Sequence, residues 1–501
     1  MKKVFVIILG VLFLTSTLFA TLTRVKSLGD TENPINGKIS GLIKDDIVDI
    51  YFNPAKVNEV KALLIISSFN IDYGTDNDEV YEYYNITEAT KTNITLTKTT
   101  REGYDFQFNT GILIPIKMFN LFINYQPKWT KYYKETSNSS SSDEFSTEVI
   151  TDTEKRITMD RAAFDVTMGF NIKDRLLFGL RIGYYNSEHN GYSESGGIKK
   201  KKSEYICDKF LVGSGVEFNF TKNISLSIAG DFTFSQKDES PLYIEEGILG
   251  TSTNEFNYDS TRQLYAYSRT EKEANYGLRI YPEIKLKQGK FIRTLLGIDY
   301  YTYSKDYNFN SQGKLAGYDI RDFNKQKVIL SSGISFNHTL AKSTRGVYGL
   351  KYIGLISGYE TKVRYPDNVK SELNTTAHFI GTFVGFDTRI SKIIFIRTGL
   401  SQGIYKYENR SVKDNELTSG NITETVNISK EILPQTIFAL GFYIQPIADL
   451  ILEFNFSASK DWNMKNISLV EETYKENGKD KERTKRKNYD FQIGLSVSYQ
   501  I

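Results

Sequence analysis

The chain has 501 residues, and its 63 Lys and Arg residues nearly balance its 60 Asp and Glu residues, giving a formal net charge of +3. This charge is too close to neutral to support binding to nucleic acid. The mean hydropathy of −0.37 is too polar for a helical membrane protein. A single cysteine, Cys207, excludes an internal disulfide.

Residues 1–20 are predicted to be a secretory signal peptide. The basic start "MKK" is followed by the apolar stretch "VFVIILGVLFLTSTLFA", which ends at Ala20. This stretch is too short, and too rich in Ser and Thr near its end, for a membrane span. The alternative is an uncleaved N-terminal anchor. No Cys follows directly, which argues against a lipid-anchored form.

Long antiparallel strands are predicted throughout residues 62–501. In the final stretch "NYDFQIGLSVSYQI", every second residue from Tyr489 to Ile501 is apolar or aromatic, and the residues between are polar or small. Successive side chains of a strand point to opposite faces, so one face suits lipid and the other suits water. About sixteen such strands are predicted, at 62–73, 102–114, 120–134, 158–171, 174–192, 203–220, 222–237, 262–284, 291–308, 326–339, 345–362, 375–389, 392–410, 431–444, 449–463 and 487–501.

The connections between these strands alternate between short and long. Short turns such as 220–223 and 389–392 contrast with long polar segments at 134–156, 236–262 and 475–488, which are predicted to be solvated loops. This alternation is typical of outer-membrane barrels. The sequence therefore predicts an all-β fold, a transmembrane antiparallel up-and-down β-barrel of about 14–16 strands with both chain ends at the periplasmic rim.

The last strand is expected to pair with the first strand, because closure removes the sheet edges that lipid cannot satisfy. Its alternation also resembles the assembly signal of bacterial outer-membrane proteins, although Ile501 stands where that signal usually has Phe. The barrel-assembly machinery and outer-membrane lipids are therefore expected partners, and no nucleic acid is expected.

The inward face of the predicted strands carries charges of both signs. One interpretation is a hydrated lumen or a ladder of ion pairs that braces the wall; the other is a selectivity ring or substrate site. The charged residues assigned to this face are Asp165, Arg181, Glu217, Asp231, Arg279, Glu283, Asp299, Lys351, Asp387, Arg397, Glu453 and Asp490.

The sequence does not favour an enzyme. The three histidines are His189, His338 and His378, and the strand map places His189 toward the long-loop rim and His338 toward the short-turn rim. No nucleophile elbow, paired-histidine zinc motif or phosphate-binding loop is present in the sequence. No catalytic residue, cofactor or metal site is predicted.

Residues 21–61 precede the first predicted strand and contain the acidic pair Asp45-Asp46, followed by "DIYFNPAKV". This stretch resembles the N-terminal signature of the long-chain fatty-acid transporter superfamily of outer-membrane barrels, with Asp45, Asp46, Asn53, Pro54 and Ala55 as the matching residues. The resemblance implies that residues 21–61 fold into the barrel as a plug. A position in the periplasm is the alternative.

Two classes of function remain open. The resemblance implies passive transport of hydrophobic or amphipathic small molecules across the bacterial outer membrane, with a hydrophobic small molecule as ligand. The alternative is a general diffusion porin, or a surface barrel whose loops act as a binding or structural platform. A plug formed by residues 21–61 would favour transport, whereas an open lumen would favour the porin.

Overall fold

The computed structural model describes most of the barrel and part of the segment before it. The predicted signal peptide (residues 1–20), Asp45, Asp46 and Ile501 lie outside the described residues. The described residues are 25, 28, 30, 40–44, 48–85, 92–117, 119–142, 145–146, 150–172, 175–195, 198–239, 267–287, 290–309, 320–363, 368–416, 422–447, 450–461, 474–476 and 479–500.

One sheet of nineteen strand segments dominates the described part of the chain. Two short helical elements precede it, the α-helix α1 (Val48–Phe52) and a 3₁₀-helix (Pro54–Glu59). The strands are β1 (Leu64–Asn85), β2 (Thr92–Pro115), β3 (Phe119–Tyr125), β4 (Lys128–Ser142), β5 (Phe145–Ser146), β6 (Ile150–Ile172), β7 (Leu176–Ser195), β8 (Ile198–Asn219), β9 (Ile224–Glu239), β10 (Tyr267–Lys285), β11 (Phe291–Phe309), β12 (Ile320–Ala341), β13 (Thr344–Val363), β14 (Asn368–Arg389), β15 (Ile394–Glu416), β16 (Ile422–Ile447), β17 (Leu450–Asp461), β18 (Tyr474–Glu476) and β19 (Lys479–Gln500).

The sheet closes on itself. Strand β1 pairs antiparallel with β2 on one side and with β19 on the other, where Ile65 lies opposite Tyr499 and Tyr73 lies opposite Phe491. The other long strands from β6 to β17 pair antiparallel with their neighbours in the chain. The predicted up-and-down barrel, closed by the last strand, is therefore confirmed. No helix in the described part of the chain is long and apolar enough to span a membrane.

The nineteen segments occupy sixteen positions in the wall, in agreement with the strand map. Strands β3 and β4 share one position between β2 and β6, separated by Gln126 and Pro127. Proline has no amide hydrogen for the ladder, which explains the break at this point. Strands β17 and β18 both pair with β19, and the two-residue β5 pairs with β4 beside β6.

Two of the three segments that the sequence predicts to be long loops are mostly strands in the structure, so those two predictions are wrong. Most of the segment 134–156 belongs to β4, β5 and β6, and most of 475–488 belongs to β18 and β19. Beyond the membrane both faces of a strand meet water, so apolar alternation disappears while backbone pairing continues. The hydrophobic pattern cannot distinguish such a strand from a loop. The third predicted loop, 236–262, lies almost entirely outside the described residues.

The two faces of the wall differ as the alternation predicts. On β6, Ala163, Asp165 and Thr167 are buried, whereas Phe164 and Phe170 are 53% and 39% exposed. Exposed apolar side chains recur around the barrel and form its outward face. A spanning strand needs about 9–11 residues, and β16 has 26. The long strands therefore project well beyond the apolar band of a membrane.

The apolar core is made by the segment before β1 together with the inner face of the wall. Val25, Leu28, Leu42, Ile43 and Val48 form one buried cluster with inward-facing residues of β10, β11, β13 and β14. Ile50 and Val57 form a second buried cluster with residues of β1, β2 and β3. These two groups of strands lie on different sides of the barrel order. Helix α1, which carries both Val48 and Ile50, therefore contacts two separate parts of the wall.

Candidate functional site

The turn at Asn53 and Pro54 is fixed by local hydrogen bonds. Asn53 is extended, with φ −142° and ψ 107°, and its Oδ1 accepts a hydrogen bond from the backbone nitrogen of Ala55 at 3.0 Å. Its own backbone nitrogen donates to the carbonyl oxygen of Asp49 at 2.8 Å, at the end of α1. Asparagine is a favoured residue before a helix and proline is favoured at its first position. The Asn-Pro-Ala sequence therefore ends α1 and starts the 3₁₀-helix.

Three glycines on neighbouring strands contact this turn and the 3₁₀-helix that follows it from the wall. Gly169 lies opposite Gly179, and Gly179 lies opposite Gly215, so the three form a row across β6, β7 and β8. A Cβ atom at Gly179 would overlap the carbonyl group of Pro54, and one at Gly215 would overlap the side chain of Asn53. We call these three residues the glycine row. Its lack of side chains gives the Asn-Pro turn the space it occupies.

Asparagine side chains join the turn to strand carbonyl groups. The Nδ2 of Asn53 donates to the carbonyl oxygen of Val216 at 3.2 Å, and the Nδ2 of Asn58 donates to that of Phe178 at 3.1 Å. From the wall, the Nδ2 of Asn120 donates to the carbonyl oxygens of Val57 and Val60, both at 2.9 Å. These directional bonds fix the position of the turn as well as its distance from the wall.

Ion pairs hold the same segment to other strands. Arg293 on β11 donates two hydrogen bonds to the carboxylate of Asp49, at 2.8 and 2.9 Å, and both side chains are at most 3% exposed. Three further pairs are Lys56–Glu217 at 2.6 Å, Lys44–Glu283 at 3.3 Å and Lys351–Asp30 at 3.3 Å. Removing one partner of a buried pair leaves an uncompensated charge and is strongly destabilising.

The pKa values of charged groups in the segment reflect this pairing. Burial by itself lowers the pKa of Lys44, but Glu59 and Glu283 outweigh burial and raise the pKa above its usual value. Burial raises the pKa of Glu59, but Lys56 and Lys44 outweigh it, and the pKa lies below its usual value. The charged forms of both residues are therefore stabilised where they lie.

Many of the predicted inward-facing charges pair within the wall. Arg181 pairs with Asp165, and its Nη1 also donates to the carbonyl oxygen of Tyr51 at 3.3 Å. Arg279 contacts two carboxylates, those of Asp231 and Asp299. The interpretation as a bracing ladder of ion pairs fits these contacts. Arg397 also pairs with Asp387, at 3.5 Å. The side chains of two further predicted residues, Glu453 and Asp490, lie outside the described part of the chain.

The structure places only part of the predicted plug motif. Asn53, Pro54 and Ala55 lie in the turn against the glycine row, and Asp45 and Asp46 lie outside the described residues. The role of all five in a plug stays a prediction. Sequence analysis missed Arg293, although a signal was available. Arg293 is six positions from Asp299 on the same strand and therefore on the same face.

An apolar cluster also faces the inside of the barrel. It comprises Ile329 on β12, Ile353 and Leu355 on β13, and Ala377 and Phe379 on β14. Tyr301, Tyr405 and Tyr407 pack against it. Lys351, which contacts Asp30 of the N-terminal segment, lies with its Nζ 5.9 Å from the ring centre of Phe379. We call this group the inner apolar cluster, and it lies next to the docked segment.

Comparison with known proteins gives structural likeness but no sequence relative. No protein-family model matches the chain, and no curated protein sequence matches it. A Pseudomonas aeruginosa FadL homologue is 10% identical, with a TM-score of 0.42, over 97% of this chain and 98% of its own. The Pseudomonas putida toluene transporter TodX is 10% identical, with a TM-score of 0.35, over 95% and 97%. The CymD monoaromatic hydrocarbon channel is 9% identical, with a TM-score of 0.32, over 95% and 98%.

Proposed function

We propose that this protein is an outer-membrane barrel for the passive transport of hydrophobic or amphipathic small molecules, with residues 21–61 as its plug. The observation that carries the proposal is the inner apolar cluster. The interior of a water-filled barrel is polar. A buried group of Ile329, Ile353 and Phe379 on the inner face, flanked by tyrosines, is suited to an apolar ligand instead.

The contacts of the N-terminal segment support the plug. Helix α1 contacts two separate parts of the wall through Val48 and Ile50, and charged pairs tie the segment to β8, β10, β11 and β13. A segment held in this way obstructs the free passage of water and ions. A general diffusion porin needs an open path through the barrel where this segment docks. The docked segment therefore favours the transporter over the porin.

One residue contacts both the inner apolar cluster and the N-terminal segment. Lys351 contacts Asp30 on one side and the ring of Phe379 on the other. A ligand bound at the cluster therefore lies beside an ion pair of the plug. The similar structures include a toluene transporter and a monoaromatic hydrocarbon channel by name, and the ligand proposed for this chain rests on its own residues.

The test combines binding and conductance. The intact protein is expected to bind a fluorescent fatty acid in detergent and to conduct little in planar bilayers. Phe379→Ala is expected to weaken probe binding, because it removes apolar surface from the cluster. The matched control is Leu330→Ala, at an exposed position on the outer face of β12, the strand that carries Ile329. A large, steady conductance without probe binding would support the general porin and contradict the proposal.

A further inference from the structure

The outer face of β14, β15 and β16 carries a group of basic side chains. His378, Lys406, Arg410 and Lys430 are all exposed, and we call them the basic patch. On β14, His378 alternates with Ala377 and Phe379, which are buried in the inner apolar cluster. The patch therefore faces away from the lumen.

The patch begins where the apolar surface of the wall ends. Ile380 and Ile404 lie directly opposite each other and are 56% and 58% exposed. One outward position further along the same two strands, His378 lies directly opposite Lys406. Directly opposed side chains have Cβ atoms about 4.5–5.5 Å apart. The two basic residues therefore lie side by side at the border of the apolar band.

Gly354 leaves the space in which a neighbouring tyrosine contacts His378. Gly354 lies opposite His378 on the neighbouring strand β13. A Cβ atom at Gly354 would come within 2.8 Å of the hydroxyl oxygen of Tyr352. With only hydrogen at this position, Tyr352 extends over Gly354, and its hydroxyl oxygen lies 2.9 Å from Nδ1 of His378. The orientation of the His378 ring is therefore held by a neighbour.

The basic patch remains positively charged even though one of its lysines forms an ion pair with a glutamate. Lys430 pairs with Glu408 at 3.5 Å, and Lys406 and Arg410 stand on either side of Glu408 along β15. The outer face of β8 and β9 is different, because its charged residues include Asp208 and Asp238. In this group the cations Lys406, Arg410 and Lys430 outnumber the paired carboxylate of Glu408, so the border of the apolar band carries positive charge here.

We infer that the basic patch binds the phosphorylated headgroup of a lipid in the leaflet on the side of the long hairpins. The acyl chains of such a lipid would lie on the apolar surface around Ile380 and Ile404. Lysine provides a compact positive charge, and the arginine fork matches phosphate oxygens. Lys406 and Arg410 are four residues apart, about 13 Å along a strand. This spacing suits a headgroup with two phosphates better than one phosphate.

The experiment uses the full chain in detergent micelles. Native mass spectrometry measures the binding of bisphosphorylated lipid A, monophosphorylated lipid A and a phosphate-free glycolipid. Lys406→Ala is expected to weaken binding of the bisphosphorylated lipid roughly fivefold, as expected for one cation near a charged lipid surface. Lys272→Ala is the control, since Lys272 is an exposed lysine on β10 of the same chain. That variant should bind as the unaltered protein does.

Two further measurements keep the test independent of folding. Each variant must keep the heat-modifiable gel mobility of a folded barrel, and binding by the unaltered protein should weaken as salt is raised, because exposed charges are screened. Equal binding by the Lys406 and Lys272 variants would overturn the inference, as would equal binding of the phosphate-free lipid.

Full competition by millimolar inorganic phosphate would mean that the patch is a site for a free anion. An oligomer that dissociates only on Lys406→Ala, with lipid binding unchanged, would assign the patch to a second copy of the chain. Phosphate competition and oligomer dissociation would each contradict the inference that the basic patch binds a lipid headgroup.

Discussion

Arg293 and Asp49 are separated by 244 positions in the chain, and the guanidinium of Arg293 donates two hydrogen bonds to the carboxylate of Asp49. Arg293 comes from a wall strand, and Asp49 comes from the helix that precedes the barrel. A pair with two parallel hydrogen bonds fixes orientation as well as distance. This contact therefore sets how α1 lies across the inside of the barrel.

The first prediction concerns this ion pair. Asp49→Ala should destabilise docking of the N-terminal segment by about 3–5 kcal/mol, because Arg293 is left buried without its partner. Docking is measured by the rate of proteolysis between residues 40 and 60 in the detergent-solubilised protein. The same variant should raise the conductance of the barrel if the segment acts as a plug.

The double variant Asp49→Leu with Arg293→Met is the control for that prediction. It replaces both charges by apolar side chains, which is often neutral or stabilising for a buried pair. Protection from proteolysis should therefore return. Equal cleavage of the single and double variants would show that the ion pair does not hold the segment.

The second prediction concerns the glycine row. Gly179→Ala should displace the Asn-Pro turn, because the added Cβ would overlap the backbone of Pro54 and Ala55, which cannot rotate away. The expected result is faster proteolysis of the segment and a higher conductance in planar bilayers. Gly103→Ala is the matched control, since a Cβ at Gly103 meets no atom within 4 Å. Identical behaviour of the two alanine variants would contradict the role of the row.

Sequence alternation predicted the wall well wherever one face meets lipid. The alternation predicts that Asp165 faces inward, and the structure buries Asp165 there while the adjacent Phe164 is 53% exposed on the outer face. The pattern failed where both faces are polar, as in β19 from Lys479, because pairing there needs no apolar face. The contact between Asp49 and Arg293 could not be predicted, because no local pattern relates residues so far apart. The resemblance singles out Asn53 and Pro54, but no pattern in the sequence relates them to the glycine row on the wall.

The third prediction tests the two faces of the wall. Leu278→Arg should destabilise the barrel by about 2–4 kcal/mol if the position is near the bilayer midplane, because the charge is placed in hydrocarbon. Leu278 is 46% exposed on the outer face. Thr233→Arg on the neighbouring β9 should cost less, because Thr233 lies opposite Asn275 on the inner face. Urea unfolding in lipid vesicles measures both, and equal costs would show that the assigned faces are wrong.

The fourth prediction is a pH range for docking of the segment. The pKa of Glu59 lies below its usual value of 4.5 when docked, so its contribution is complete above that value. The contribution is lost as pH falls through the lowered pKa. The pKa of Lys44 lies above its usual value of 10.5, so its contribution is complete below that value and is lost as pH rises through the raised pKa. Docking should therefore be strongest between these limits.

Proteolysis of the segment at a series of pH values, with an acid-stable protease such as pepsin at the low end, measures this range. Glu59→Gln should remove much of the change at the acid limit and leave the alkaline limit in place, because Lys44 keeps its contact with Glu283. Glu102→Gln is a suitable control, since Glu102 lies on β2 away from these ion pairs. A variant at Glu59 whose acid profile matches that of the control would show that the low-pH loss of docking arises from other carboxylates.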